Sequence, residues 1–159
     1  MKKKLLSLLL AVAMVVTLAA CGEKKPTPGK DATATEPVVI LHTNDVHGAI
    51  ENYAKVAVLA SQYESEGAYV LILDAGDFSQ GTSYVSLSEG AAAIELMNMA
   101  GYDAVALGNH EFDYGFEALK KNMESAGFPV LAANVKYNGE LAFDDAAVFT
   151  TPGGTKIGV

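Results

Sequence analysis

Three short apolar runs each end in a polar cluster, and matching positions in the clusters, Asp45, Asp77 and Asn109, stand 32 residues apart at each step. The first run, Val38-Val39-Ile40-Leu41, leads into His42-Thr43-Asn44-Asp45-Val46-His47-Gly48. The second, residues 69–73, leads into Asp74-Ala75-Gly76-Asp77. The third, residues 103–107, leads into Gly108-Asn109-His110-Glu111. Apolar runs of this length, rich in β-branched residues, read as buried strands. A strand, a helix and the return to a parallel strand take roughly 30 residues. Each step of 32 therefore brings the chain back to the same edge of one sheet. The units share no further similarity, so the pattern is a fold period and not a sequence repeat.

The segments between the runs fit that scheme. Tyr53, Val56, Leu59, Ala60 and Tyr63 recur at helical spacing and predict a helix over 52–65. Ser86 or Ser88 can cap a second helix that runs through Met99 and stops at Gly101. A third helix is expected near 115–126, then a strand at Pro129-Val130-Leu131-Ala132. Asn138-Gly139 is a hairpin-turn dipeptide, and Lys156 to Val159 reads as the start of another strand. Alternating strands and helices define the α/β class with a parallel sheet. Ligands in such sheets collect at the carboxyl ends of the strands.

The residue types at those ends carry chemistry. Asp45 and His47 are two apart, so a strand continuing that far would point both side chains the same way. Asp77 follows a glycine that lets the backbone bend, and its two carboxylate oxygens can bridge two ions. Asn109 offers a neutral carbonyl oxygen, and His110 an imidazole able to move protons near neutral pH. Mixed oxygen and nitrogen donors suit Zn, Mn or Fe better than Ca. A single such residue is usually a turn former or a cap; four at three consecutive strand ends are hard to read that way. His42 alternates away from Asp45 and is read as structural. Asp74 and Glu111 are read either as acceptors behind the ligands or as caps, and neither as a ligand.

The segments LHTNDVHG (41–48), DAGD (74–77) and GNHEFDYG (108–115) resemble the calcineurin-like metallophosphoesterases, in their bacterial 5'-nucleotidase branch. The resemblance covers about residues 38–159. It implies the N-terminal half of a four-layer αββα sandwich with two divalent metal ions, Zn, Mn or Fe. By position, Asp45 and His47 would hold the first ion, Asp77 would bridge, and Asn109 would bind the second. His110 would stabilise the transition state or protonate the leaving oxygen, with Asp113 orienting its ring. The implied reaction is release of phosphate from nucleotides by two-metal activation of water. Alternatives within the resemblance are hydrolysis of 2',3'-cyclic nucleotides, UDP-sugars or sulfur esters; outside it stands a non-catalytic lipoprotein that keeps the fold. The family's later ligands, two histidines at the second metal and a His or Gln at the first, have no counterpart here, because no His follows His110. Its C-terminal substrate domain also has no match. The expectation is a fragment carrying the first, incomplete part of the catalytic domain.

The N-terminus reads as an address. Lys2, Lys3 and Lys4 precede a largely apolar run from Leu5 to Ala20, shorter than the ~20 residues a spanning helix needs. Leu18-Ala19-Ala20-Cys21 resembles the bacterial lipobox, which implies a signal peptide over 1–20 and a lipid on Cys21. Residues 21–36 are rich in Pro, Thr and Lys and read as a flexible tether, leaving 37–159 as the folded domain. The expected location is that of an exported bacterial protein, anchored by the Cys21 lipid to the outer face of the cell membrane or in the periplasm. Cys21 is the only cysteine, so no internal disulfide exists. All 11 basic residues are lysine against 19 acids, a formal net charge of −8. Without the three lysines of the address, 8 lysines face 19 acids, a net of −11. Such a surface excludes binding of nucleic acid polymers through their phosphates. The partners expected are a nucleotide or other phosphoester and the membrane, and no protein partner is inferred.

Overall fold

The computed structural model describes residues 36–159. The proposed signal peptide, the lipid site Cys21 and nearly all of the tether lie outside the described residues. Strands β1 (Val38–Thr43), β2 (Tyr69–Asp74) and β3 (Ala104–Val105) form a parallel sheet in the order β1-β2-β3. Helix α1 (Glu51–Ser65) connects the first pair. Helices α2 (Ser83–Leu87) and α3 (Ala91–Ala100) connect the second. Helix α4 (Phe116–Glu124) follows a 3-10 turn at His110–Phe112. Two antiparallel hairpins close the described chain, β4 (Lys136–Tyr137) with β5 (Glu140–Leu141), and β6 (Val148–Thr150) with β7 (Lys156–Gly158). The α/β class and the parallel sheet are as the sequence predicts.

The register fixes which side chains meet the helices. Leu41 pairs with Ile72 and Val39 with Val70, and Asp74 pairs with Val105, so these residues share one face. Ile72 and Val105 join Tyr53, Ile94, Met97, Tyr102 and Leu119 in the buried core, with Leu41, Val56 and Val70 packed against it. On the other face of β1, Val38 and Ile40 are exposed.

Three expectations shift in detail. The helix expected from Ser86 or Ser88 through Met99 forms as α3 but starts only at Ala91, because Glu89 and Gly90 adopt positive φ of 52° and 89°, and the short helix α2 that precedes them is not anticipated. Ser88 still caps, its Oγ accepting the Ala92 N–H at 3.1 Å from just outside α3. The strand expected over 103–107 shortens to two residues. At its start the Asp103 carboxylate takes the Ile72 N–H at 2.8 Å, and at its end the chain turns toward the loop at Gly108. The strand expected at 129–132 reduces to isolated bridges, Val130 to Val105 and Leu131 to Asp144. The Asn138-Gly139 turn forms as expected, both residues at positive φ, and Lys156–Gly158 pairs into a hairpin.

Ile94 is fully buried, whereas Val58 on α1 is 69% exposed. Ile94→Ala should lower unfolding free energy by about 2–5 kcal/mol through the cavity it leaves. Val58→Ala should stay within about 0.5 kcal/mol of the parent. Urea denaturation of both variants, followed by circular dichroism, checks the contrast.

Candidate metal centre

The polar turns at the ends of β1 and β2 are bonded to one another through backbone. Ala75 N–H donates to Thr43 O at 2.9 Å, Asp45 N–H to Gly76 O at 3.0 Å, and His47 N–H to Asp77 O at 3.0 Å. These bonds continue the β1–β2 pairing past the strands. The third turn comes in through the Asp77 side chain, whose Oδ1 accepts the His110 N–H at 2.9 Å. Close approach requires glycine here. A Cβ on Gly76 would stand 2.2 Å from Gly108 N, and one on Gly108 would stand 2.2 Å from Asp77 Oδ1.

The sequence-predicted residues converge, though not by the route expected for Asp45 and His47. The strand ends at Thr43, and both residues lie in the turn with positive φ, 51° and 46°. Their side chains nevertheless meet, His47 Nε2 standing 3.7 Å from Asp45 Oδ1. Asp77 is also left-handed, at φ 61°. Side chains other than glycine reach this region rarely, at a cost of about 1–3 kcal/mol each where the conformation is strained. One donor atom each from His47, Asp77 and His110 lie within 4.8 Å of one another. The His47 and His110 rings meet edge to face with centroids 4.9 Å apart. Asp45 borders this group through His47, and Asn109 sits exposed on the turn beside His110.

His110 Nδ1 is 2.7 Å from Asp113 Oδ2, which leaves Nε2 as its free nitrogen. That hydrogen bond, and then the charges of Asp113, Asp77 and Glu111, hold the imidazole pKa above its ordinary value against partial burial. The Asn44 amide donates to Asp45 Oδ2 at 2.8 Å and holds that carboxyl below its usual range, with smaller help from His47 and Asp77. Two imidazoles and two carboxylates, partly open to solvent, are a donor set that fits a borderline divalent cation.

Residues behind the cluster resolve what the sequence leaves ambiguous. Glu111 is 2% exposed and accepts four backbone N–H groups. Oε1 takes those of Phe78 (2.9 Å) and Ser79 (3.0 Å), and Oε2 those of Asp77 (2.8 Å) and Gly108 (2.6 Å). Asp74, also buried, accepts the Gly76 N–H at 2.7 Å and the Thr43 hydroxyl, and Thr43 is bonded to the Tyr102 hydroxyl at 2.8 Å. Both are acceptors and neither is a cap. Thr43 and Tyr102 carry no sequence signal, since their partners lie 31 and 59 positions away. His42 is exposed, outside the donor group, and borders a shallow depression of about 500 Å³ with Asp45, Asn52 and Lys55.

A parallel α/β sheet with this donor group at its strand ends places the chain in the calcineurin-like phosphoesterase family, to which it belongs and whose model matches residues 38–158. Within that family it groups with 5'-nucleotidases. It is 36% identical to a 5'-nucleotidase of Vibrio vulnificus over 157 residues, 91% of this chain and 28% of that protein. Its fold matches the 5'-nucleotidase precursor from Thermus thermophilus with a TM-score of 0.67 and 33% identity, over 75% of this chain and 27% of that one. The NAD nucleotidase of Haemophilus influenzae gives a TM-score of 0.64 at 31% identity, over 75% of this chain and 25% of that one. The chain spans between about a fifth and three tenths of the length of the curated relatives it matches.

Burial pushes the Asp74 carboxyl up to about 6, its bonds from Thr43 and Gly76 offsetting only part of the effect. A folded-state value above the unfolded one means that the folded chain binds the proton more tightly. The contribution to stability is complete below about pH 4 and is lost as pH rises through about 6, leaving ionised Asp74 a cost of about 3 kcal/mol at neutral pH. Asp74→Asn keeps an acceptor for Gly76 and carries no charge. In chelator-treated protein it should raise the thermal midpoint at pH 7.5 and flatten its dependence between pH 4 and 7. A midpoint profile parallel to that of the parent would contradict this.

Proposed function

We propose that the protein to which these residues belong is a metal-dependent phosphoester hydrolase of the 5'-nucleotidase kind, releasing phosphate from nucleotides at the cell surface. The observation that carries the reading is the convergence of Asp45, His47, Asp77 and His110 from three strand ends, with the donor atoms of the last three within 4.8 Å. The nucleotide substrate is supported by the names of the relatives.

In this reading Asp45, His47, Asp77 and Asn109 are the residues that would hold a pair of divalent cations, Zn, Mn or Fe, with Asp45 and His47 serving the first, Asn109 the second and Asp77 both. Such a pair, when bound, neutralises phosphoryl charge and lowers the pKa of neighbouring water. The chain's own residues do the rest. Asp113 accepts from His110 Nδ1 and so fixes the ring and its tautomer. With Nδ1 committed to Asp113, Nε2 is the nitrogen that can carry a proton, which passes to the leaving oxygen as the P–O bond breaks. A second reading makes His110 itself a ligand, and its place in the donor group with His47 and Asp77 favours it.

Substitution separates the two. Under the first, His110→Ala lowers turnover about 10²–10⁴-fold with metal content near normal, whereas Asp77→Ala loses metal. Loss of metal in His110→Ala selects the ligand role; full turnover in either variant of an active protein sinks the assignment. The assay is manganese- or zinc-dependent phosphate release from AMP, with 2',3'-cyclic AMP and a UDP-sugar as competing substrates.

The proposal includes export and anchoring: a signal over 1–20, a lipid on Cys21, a tether over 21–36 and the catalytic domain over 37–159. Its support is the basic start, the apolar run and the Leu18-Ala19-Ala20-Cys21 sequence. Cys21→Ser should move the protein from the detergent phase to the aqueous phase on phase partition. Unchanged partition would remove the lipid from the scheme.

A further inference from the structure

We propose that Glu111 is the positioning residue of this metal centre, setting the separation between the turn that carries Asp77 and the turn that carries Asn109 and His110; the inference rests on the metal-centre reading above. The last backbone bond between these strands is Ala106 N–H to Asp74 O at 2.8 Å, and no backbone bond joins the two turns beyond it. The backbone N–H groups of Asp77, Phe78 and Ser79 from one turn, and of Gly108 from the other, meet on one carboxylate instead. Oε2 does the joining, since it alone takes a donor from each turn: Asp77 at 2.8 Å and Gly108 at 2.6 Å.

Two features make this a positioning role. Each Glu111 oxygen already accepts two N–H groups, and the residue is 2% exposed, so its lone pairs are committed and it is not a ligand. What it holds is a candidate ligand's own backbone: the Asp77 N–H is one of its four donors, and Asp77 is held at φ 61°. The Asp77 side chain in turn accepts from His110 N–H, so displacement at Glu111 reaches both turns of the donor group.

Glu111→Gln tests this, because one amide NH2 group must then face two N–H donors and the turns separate. Outer partners of metal ligands typically carry about 10–100-fold in metal affinity. Titration of the chelator-stripped protein with Co²⁺, followed by visible absorption, should show a Kd about 10–100-fold weaker and an altered ligand-field spectrum in the folded variant. Gly108→Ala provides a second route if Glu111→Gln does not fold. It keeps Glu111 but sets a Cβ 2.2 Å from Asp77 Oδ1, and it should weaken Co²⁺ binding in the same direction. A variant with a lowered thermal midpoint but the parent's Kd and spectrum would make Glu111 structural only and overturn the proposal. A parent protein that binds no Co²⁺ would overturn the metal-centre reading and this inference with it. A parent that binds, beside variants that bind equally well, would overturn this inference alone.

Discussion

One buried carboxylate holds together two turns that no strand pairing joins. Four backbone N–H groups converge on Glu111, and each left buried without an acceptor would cost about 1–3 kcal/mol. Together they approach the whole stability of a typical domain, about 5–15 kcal/mol. Burying the charge also costs several kcal/mol before its bonds are counted. Four charge-assisted bonds offset that cost, and they do so only with both oxygens present and with a side chain long enough to reach both turns. In the proposed arrangement the turns that carry Asp77 and His110 take their spacing from this contact. The Asp77 carboxylate is presented by a backbone Glu111 holds, and His110 is tied to that carboxylate through its own N–H.

The strain at the site follows from the same arrangement. Asp45, His47 and Asp77 all take left-handed backbone, a conformation that a free loop of these residues would leave. They cannot leave while Asp45 N–H and His47 N–H are bonded to the second turn and Asp77 N–H to Glu111. The turns are therefore held to one another by hydrogen bonds of their own. Donor atoms fixed in advance lose less entropy on binding, so preorganisation of this kind favours affinity.

How much of this the sequence discloses depends on the range of the interaction. Strands β1 and β2, the helix α1, the Asn138-Gly139 turn and the 32-residue period are local or periodic features, and they read correctly. Strand alternation groups Asp45 and His47 for a reason that fails, because β1 stops at Thr43; the turn brings them together by another geometry. The short helix α2 before Ser88 is not legible, because five residues are too few to show a helical period. Glu111 is the hardest residue to read. Three of its donors lie 32 to 34 positions away, and no local pattern distinguishes a carboxylate that collects distant N–H groups from one that caps a helix. Asp74 is obscure for the same reason, its Thr43 partner lying 31 positions back.

Charge links the site's architecture to its chemistry. Asp45, Asp74, Asp77, Glu111 and Asp113 crowd the strand ends of a chain whose net charge is −8, and all 11 of its cations are lysines. A phosphate anion approaching that cluster alone meets repulsion, and the exposed Lys55 beside the Asp45 depression is one point charge against several. The same carboxylates attract divalent cations, which then become the largest local charges and invert the sign of the potential there. Glu111 contributes to the negative field without being available as a ligand, which leaves Asp77 within the donor group and Asp45 at its border as the carboxylates open to an ion. Under the proposed function, cation binding and anion recognition would be one event at this site, since the carboxylates that repel a phosphate are those that recruit the ions able to hold it.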